Sequence, residues 1–134
     1  VMGHEVSGTL LAAGEGVDLP VGTVVIVNPY LSCGTCIACR KGKPNCCTGI
    51  EVLGVHRDGA MCERLLVPAA NLYPADGLSP ADAAAVEFLA IGAHAVRRSG
   101  AAAGSRALVI GAGPIGIGTA LFARRAGQSV AMLD

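Results

Sequence analysis

The sequence has no excess of charge of either sign. Ten lysine and arginine residues balance ten aspartate and glutamate residues, so the formal net charge is zero at pH 7. Proteins that bind a phosphate backbone carry a surplus of basic side chains, and blocks of one charge that would mark an interaction tail are also missing. The composition therefore argues against nucleic acid as a partner.

Long apolar runs are missing as well, although 52% of the residues are hydrophobic. Glycine, proline and charged residues interrupt the chain before any run reaches the roughly 20 residues that span a bilayer. The first residues show neither a basic start followed by an apolar stretch nor a small-residue cleavage site. We therefore expect a soluble, cytoplasmic protein with no membrane partner.

Four of the six cysteines follow one spacing, Cys-x2-Cys-x2-Cys-x7-Cys. They are Cys33, Cys36, Cys39 and Cys47. In a reducing compartment, clustered cysteines bind metal more often than they form disulfides. Four thiolates satisfy the tetrahedral preference of zinc and leave no position for water, so such a site is structural. The spacing predicts a structural Zn²⁺ lobe over about residues 30–48.

Other uses of these cysteines stay open at this point. An iron–sulfur cluster also uses Cys-x2-Cys-x2-Cys, but the bacterial ferredoxin run differs in the spacing of its fourth cysteine and continues with proline. Cys46 is adjacent to Cys47 and is an alternative fourth ligand, although the spacing favours Cys47. Reduced thiols or disulfides are the remaining alternatives.

A glycine-rich turn near the end of the chain follows a short apolar strand. The run from Gly111 to Gly116 fits G-x-G-x-x-G. It lies between a predicted strand, Ala107–Ile110, and a predicted helix, Ile115–Ala126, and a second strand is predicted at Ser129–Leu133. This order is typical of the start of a dinucleotide-binding domain, where the helix N-terminus attracts the pyrophosphate. A purely structural glycine turn is the alternative.

Asp134 follows the second of these strands, about 20 residues after the turn. A carboxylate at that place accepts hydrogen bonds from a ribose and repels a 2′-phosphate, which favours NAD over NADP. The predicted cofactor-binding residues are Gly111, Gly113, Pro114, Ile115, Gly116 and Asp134.

The first part of the chain is predicted to be rich in strands. Apolar runs with many β-branched residues predict strands at Val6–Ala13, Thr23–Val27, Val52–Val55 and Met61–Val67. The Arg57-Asp58-Gly59 sequence between the last two indicates a hairpin. On this basis Cys62 is expected to be a small buried residue of a strand, and His56 a polar turn residue, with a place in the substrate cleft as the alternative.

A helix is predicted to start at Ser79-Pro80-Ala81-Asp82. This string combines a capping hydroxyl, a proline at the first helical position and a carboxylate three residues after the cap. The helix is expected to run to about Ser99 and to stop at Gly100.

The start of the chain carries one further motif, GHE-x2-G-x5-G-x2-V, from Gly3 to Val17. Together with the cysteine lobe and the glycine turn, in this order, it resembles the zinc-containing medium-chain dehydrogenases, the relatives of alcohol, sorbitol and threonine dehydrogenases. The resemblance covers essentially the whole chain.

The resemblance implies a second, catalytic zinc. The histidine of the GHE string is a ligand of that zinc in the family, which carries over to His4. Glu5 carries over as a ligand or as a group that contacts one. Glu87 resembles the glutamate of a Glu-Pro-Leu string in the sorbitol dehydrogenase branch, with Phe88 in place of proline. A carboxylate within an apolar helix needs a partner, and a cation would serve.

Without the resemblance, a His-Glu pair at a strand start is more typical of a structural pair, because a catalytic zinc needs three protein ligands. Successive side chains of an ideal strand also point to opposite faces. His4 and Glu5 can therefore reach one metal only if the backbone there is irregular.

The architecture implied by the resemblance is a β-rich GroES-like domain, truncated at its start, followed by the start of an α/β Rossmann-type domain. We assign residues 1–78 to the GroES-like catalytic domain, 79–104 to a connecting helix region and 105–134 to the first βαβ unit of the NAD-binding domain. The family's cysteine ligand upstream of the GHE string has no counterpart, because the chain begins at Val1. We therefore expect a fragment that is inactive by itself.

The implied activity is that of a zinc-dependent oxidoreductase. It would transfer a hydride from the CH–OH group of an alcohol, polyol or sugar-acid substrate to NAD, and the full-length protein would hold two zinc ions and form a homo-oligomer. A medium-chain reductase with only the structural zinc and a non-enzymatic zinc-lobe binding module are the alternatives.

Overall fold

The computed structural model describes all of residues 1–134. The chain forms two compact units, Val1–Ala84 and Ala85–Asp134. None of its helices combines the length and apolar character that a bilayer span requires. The division into domains at 1–78, 79–104 and 105–134 stays a prediction.

The first unit is built mainly from short strands. Its elements are β1 (Val6–Thr9), β2 (Val24–Val27), β3 (Tyr30–Leu31), α1 (Ile37–Arg40), a 3₁₀ turn (Pro44–Cys46), β4 (Glu51–Val52), a second 3₁₀ turn (Ala69–Asn71), β5 (Leu72–Pro74) and α2 (Pro80–Ala84). An antiparallel sheet has the order β1-β2-β5, and β3 pairs with β4. Val25 and Val27 of β2 are buried and alternate with half-buried neighbours. This period of two places one face of the sheet on the core, and each buried valine contributes about 1.5–3 kcal/mol.

Two strands of this unit are shorter than predicted. β1 ends at Thr9 instead of Ala13. The strand predicted at Val52–Val55 is reduced to β4, because the N–H groups of Val55 and His56 both donate to the carbonyl of Val52, at 3.1 and 2.9 Å. These bonds turn the chain back on itself directly after Val52.

The predicted strand at 61–67 and the hairpin before it are wrong, since residues 61–67 form no strand. The N–H groups of Gly59 and Met61 instead donate to the carbonyls of Val1 and Met2, at 2.8 and 3.0 Å. These two N–H groups are therefore bonded to the start of the chain and are not available for the hydrogen bonds of a hairpin.

The second unit contains α3 (Val86–Ser99), β6 (Arg106–Ile110), α4 (Pro114–Arg125) and β7 (Ser129–Leu133). The strands β6 and β7 are parallel, with a register that runs from Arg106 opposite Ser129 to Ile110 opposite Leu133. α4 connects them, so the predicted order of strand, turn, helix and strand is confirmed. α3 ends where expected, at Gly100, which has a left-handed φ of +63°.

The single helix predicted from Ser79 to Ser99 is two helices. Ser79 does cap the first, because its Oγ accepts from the Asp82 N–H at 3.2 Å and donates to the Asp82 carboxylate at 2.6 Å. Ala85 then has a ψ of −11°, away from the helical value near −42°. The helix restarts at Val86, and Glu87 lies in the first turn of α3 instead of mid-helix.

The helices α3 and α4 approach each other closely at Gly92. A Cβ at this position would lie 2.5 Å from the backbone nitrogen of Thr119 and 2.6 Å from the carbonyl carbon of Gly118. Only a residue without a side chain allows this approach. The close contact fixes α4, together with the glycine turn at its start, against α3.

Candidate metal and cofactor sites

Four thiol groups of the first unit meet at one point. Cys33 follows β3, Cys36 caps α1, Cys39 lies within α1 and Cys47 follows the 3₁₀ turn at Pro44–Cys46. Their sulfur atoms all lie within 4.8 Å of one another. Four sulfur donors around one point fit the ligand type and number that Zn²⁺ takes in a structural site.

Backbone N–H groups surround these sulfur atoms. The N–H of Cys36 donates to Cys33 Sγ at 3.3 Å, and the N–H of Cys39 donates to Cys36 Sγ at 3.5 Å. Cys47 Sγ accepts from Cys33 at 3.3 Å and from Gly49 at 3.4 Å. Such donors stabilise thiolates, the form in which cysteine binds a metal.

Backbone N–H donors also lower the pKa of two of these thiols. Donation from the backbone of Thr35 and then of Cys36 lowers the pKa of Cys33 to about 7. Donation from the backbone of Cys39 and then of Thr48 lowers the pKa of Cys36 to about 5. Burial raises the pKa of Cys39 to about 11, so this thiol keeps its proton at neutral pH until a cation displaces it.

The other two cysteines lie outside this group. Cys46 is exposed and accepts a hydrogen bond from Asn45 Nδ2 at 3.4 Å. Cys62 is also exposed, and its thiol donates to the carbonyl of Arg64 at 3.1 Å. The expectation that Cys62 is a buried strand residue is therefore wrong.

His4 and Glu5 precede β1, which begins at Val6. Gly3 has a φ of +109°, so the backbone at this point is not that of a regular strand. A ligand atom of His4 lies within 4.8 Å of a carboxylate oxygen of Glu5. The irregular backbone that both side chains need in order to reach one metal is present. Glu87 belongs to the second unit, where it is half-buried.

The three glycines of the turn between β6 and α4 have different surroundings. Gly111 has a φ of +99°, which L side chains rarely adopt. Gly113 caps α4 in an extended conformation with open space around it. A Cβ at Gly116 would collide with the carbonyl oxygen of Gly111. Gly111 thus permits a tight turn, and Gly113 leaves the start of the helix open to a ligand. Gly116 allows the helix to pack closely on the strand.

An open cavity of about 530 Å³ lies against this turn. Its lining includes Gly111, Gly113, Pro114, Ile115 and Gly116. Asp134 is tied to the same turn, because its Oδ1 accepts a hydrogen bond from the Ala112 N–H at 3.0 Å. The N-terminus of α4 carries a partial positive charge, so the cavity suits a pyrophosphate group.

Reasoning from the sequence missed two relationships at these sites. One is the hydrogen bond between Ala112 and Asp134. The other is the contact of Gly54 and Gly59 with Gly3, the residue before His4. The signal for the second was the pair of glycines, Gly54 and Gly59, on either side of residues 55–58, since isolated glycines often mark close backbone contacts.

Comparison with known proteins gives concordant results. Residues 1–77 match the family described as "Alcohol dehydrogenase GroES-like domain". The chain is 49% identical over 135 residues to L-galactonate-5-dehydrogenase of Escherichia coli (strain K12), an alignment that covers 100% of this chain and 40% of that protein.

Two solved structures are similar over the same length. Galactitol-1-phosphate dehydrogenase from Escherichia coli superposes with a TM-score of 0.90 at 34% identity, over 98% of this chain and 39% of that one. The short chain alcohol dehydrogenase rspB from E. coli CFT073, complexed with NADH, has a TM-score of 0.90 at 38% identity, over 100% of this chain and 41% of that one. The chain thus spans about 40% of the length of these relatives. It belongs to the alcohol dehydrogenase GroES-like domain family, within the zinc-containing medium-chain dehydrogenases.

Proposed function

We propose that this chain is part of a zinc-dependent oxidoreductase that transfers a hydride from the CH–OH group of an alcohol, polyol or sugar-acid substrate to NAD. The observation that carries the proposal is the glycine turn with Asp134 bonded to it, because this arrangement suits a dinucleotide. The names of two similar proteins, L-galactonate-5-dehydrogenase and galactitol-1-phosphate dehydrogenase, support a sugar-acid or polyol substrate.

The structural Zn²⁺ is held in this proposal by Cys33, Cys36, Cys39 and Cys47. Four protein ligands leave no position for water or substrate, so this site takes no part in the reaction. Among residues 30–48 only Cys47 is buried, which leaves the lobe with too little apolar packing of its own. Metal binding therefore supplies the stability of the lobe.

We assign the catalytic Zn²⁺ to His4, Glu5 and Glu87, with Glu5 either as a ligand or as a group that contacts a ligand. An imidazole nitrogen and carboxylate oxygens are donors that zinc accepts, and a catalytic site uses three of them and keeps one position open. When bound, this metal would polarise the substrate hydroxyl as a Lewis acid. His4 and Glu5 would offer their donor atoms to this metal from a backbone that is irregular and is anchored at Gly3.

NAD is assigned to the cavity at the glycine turn, where it would accept the hydride. The N-terminus of α4 would bind the pyrophosphate, and Gly113 leaves room for its close approach. One oxygen of Asp134 holds the Ala112 N–H, and the other is left for a ribose hydroxyl. The carboxylate would also repel the additional phosphate of NADP.

The proposed partners follow from the same reasoning. The substrate is a small molecule, and the zero net charge argues against nucleic acid. We expect the full-length protein to form a homo-oligomer and to reside in the cytoplasm.

Metal analysis of the purified full-length protein tests this proposal against its alternatives. We expect two zinc ions per chain, one in each kind of site. A single zinc per chain, retained by the cysteines, would instead favour a reductase with only the structural zinc or a non-enzymatic zinc-lobe module.

A further inference from the structure

Val52 and His56 are joined by two hydrogen bonds. The N–H of Val52 donates to Nδ1 of His56 at 3.0 Å, and the N–H of His56 donates to the carbonyl of Val52 at 2.9 Å. Because Nδ1 accepts, the neutral ring carries its proton on Nε2. Val52 is buried, so its N–H has few acceptors other than this imidazole.

The turn that this pair closes reaches back to the start of the chain. Within the turn, the N–H of Gly54 donates to the carbonyl of Arg57 at 2.8 Å. Beyond it, the N–H of Ala60 donates to the carbonyl of Gly3 at 3.0 Å. The turn and the Gly3 peptide therefore form one hydrogen-bonded structure.

Two glycines of the turn enclose Gly3 sterically. A Cβ at Gly54 would lie 2.6 Å from the carbonyl oxygen of Gly3, and a Cβ at Gly59 would collide with the same atom. This carbonyl belongs to the peptide that connects Gly3 to His4. The position of the His4 backbone consequently depends on the conformation of residues 52–60.

We propose that His56 is a positioning residue for His4. Its Nδ1 holds the Val52 N–H, this bond fixes the turn at 52–60, and the turn fixes the Gly3–His4 peptide. His56 does not touch the metal in this scheme. The expected effect of His56 on zinc affinity rests on the proposed function, whereas its effect on the conformation of the turn does not.

The test compares replacements of His56 in the full-length protein. His56→Asn places an amide oxygen where Nδ1 stands and keeps the acceptor, whereas His56→Leu removes it at similar size. His56→Gln carries its amide at the position of Nε2 and should behave like His56→Leu. The readouts are amide hydrogen exchange at Gly59–Met61, whose N–H groups donate to residues 1–3, and zinc affinity measured against a chelator.

We expect His56→Leu and His56→Gln to exchange these amides about tenfold faster and to bind the more weakly held zinc about 10–100-fold less tightly. His56→Asn should match the unaltered protein in both measurements. Zinc retained at the four cysteines serves as the internal control that the cysteine lobe of each variant is intact.

Failure of the positioning role and failure of the proposed function give different experimental results. Unchanged exchange and zinc affinity in His56→Leu, or an equal loss in His56→Asn, would overturn the positioning role. A second outcome combines two results: amide exchange is faster in His56→Leu but normal in His56→Asn, and the unaltered protein never binds a second zinc. This outcome would support the positioning role and overturn the proposed function.

Discussion

The backbone N–H of Ala112 donates a hydrogen bond to Asp134 Oδ1 at 3.0 Å. Beside it, the N–H of Gly111 donates to the carbonyl of Leu133 at 2.7 Å. These two bonds tie the glycine turn to the end of β7. They hold the carboxylate next to the turn, which is the position that its proposed role in distinguishing NAD from NADP requires.

Asp134→Asn should relax the preference for NAD. The amide keeps an acceptor for the Ala112 N–H and removes the charge that repels a 2′-phosphate. We expect kcat/KM with NADP to rise about tenfold relative to NAD, equivalent to about 1.4 kcal/mol. Steady-state kinetics of the full-length protein with both cofactors measure this change.

Asp134→Ala is the matched control, because it removes both the charge and the acceptor. It should show the same relaxed preference together with weaker binding of NAD, since the Ala112 N–H loses its partner. Equal use of NADP and NAD by the unaltered protein would contradict the role assigned to this carboxylate.

Adjacent cysteines allow a controlled test of the structural zinc. Cys47→Ser should lose one zinc per chain, because Cys47 belongs to the group of four sulfur atoms. Cys46→Ser should keep its zinc, because Cys46 is exposed and lies outside that group. Elemental analysis after dialysis measures the difference, and Cys36→Ser should behave like Cys47→Ser. Loss of zinc from Cys46→Ser alone would assign the fourth ligand to Cys46 and contradict the geometry described above.

Two glycines at the contact of α3 and α4 should respond in opposite ways to alanine. Gly92→Ala gains up to about 1 kcal/mol of helix propensity, but its Cβ would lie 2.5 Å from the Thr119 backbone. Backbone atoms cannot move aside cheaply, so overpacking of about 1–3 kcal/mol should outweigh the gain and lower the free energy of unfolding.

Gly118→Ala should leave stability unchanged or increase it. Its Cβ meets Cδ2 of Leu89 at 3.3 Å, the end of a flexible side chain that can shift. Thermal unfolding of both variants, monitored by circular dichroism, compares them directly. A similar Tm for the two variants would show that the close approach at Gly92 does not constrain the helices.

The parts of the molecule that could be predicted from the sequence depend on local spacing. The four cysteines are close along the chain, so their pattern alone predicts that they meet. The order of β6, turn, α4 and β7 is likewise predictable from Gly111, Gly116 and Gly127. These glycines occupy positions where a side chain would be strained or would collide with the backbone.

The parts that could not be predicted depend on contacts between distant segments. The run at 61–67 resembles a strand, yet the preceding backbone is bonded to residues 1–3 instead. The hydrogen bond that His56 accepts from Val52 could not be predicted from the sequence either, because a polar turn residue needs no specific partner. The break at Ala85 falls in a stretch of alanines, which are strong helix formers and give no sign of it.

We propose that the full-length protein oxidises an alcohol with NAD at a zinc site that includes His4. The most direct measurement is NADH formation with a panel of alcohols, polyols and sugar acids, compared between the unaltered protein and His4→Ala, before and after removal of the weakly held zinc. We expect the unaltered protein to form NADH, chelation to abolish this activity and added zinc to restore it. We expect His4→Ala to form no NADH although its four-cysteine zinc remains. NADH formation that survives both chelation and His4→Ala would contradict this proposal.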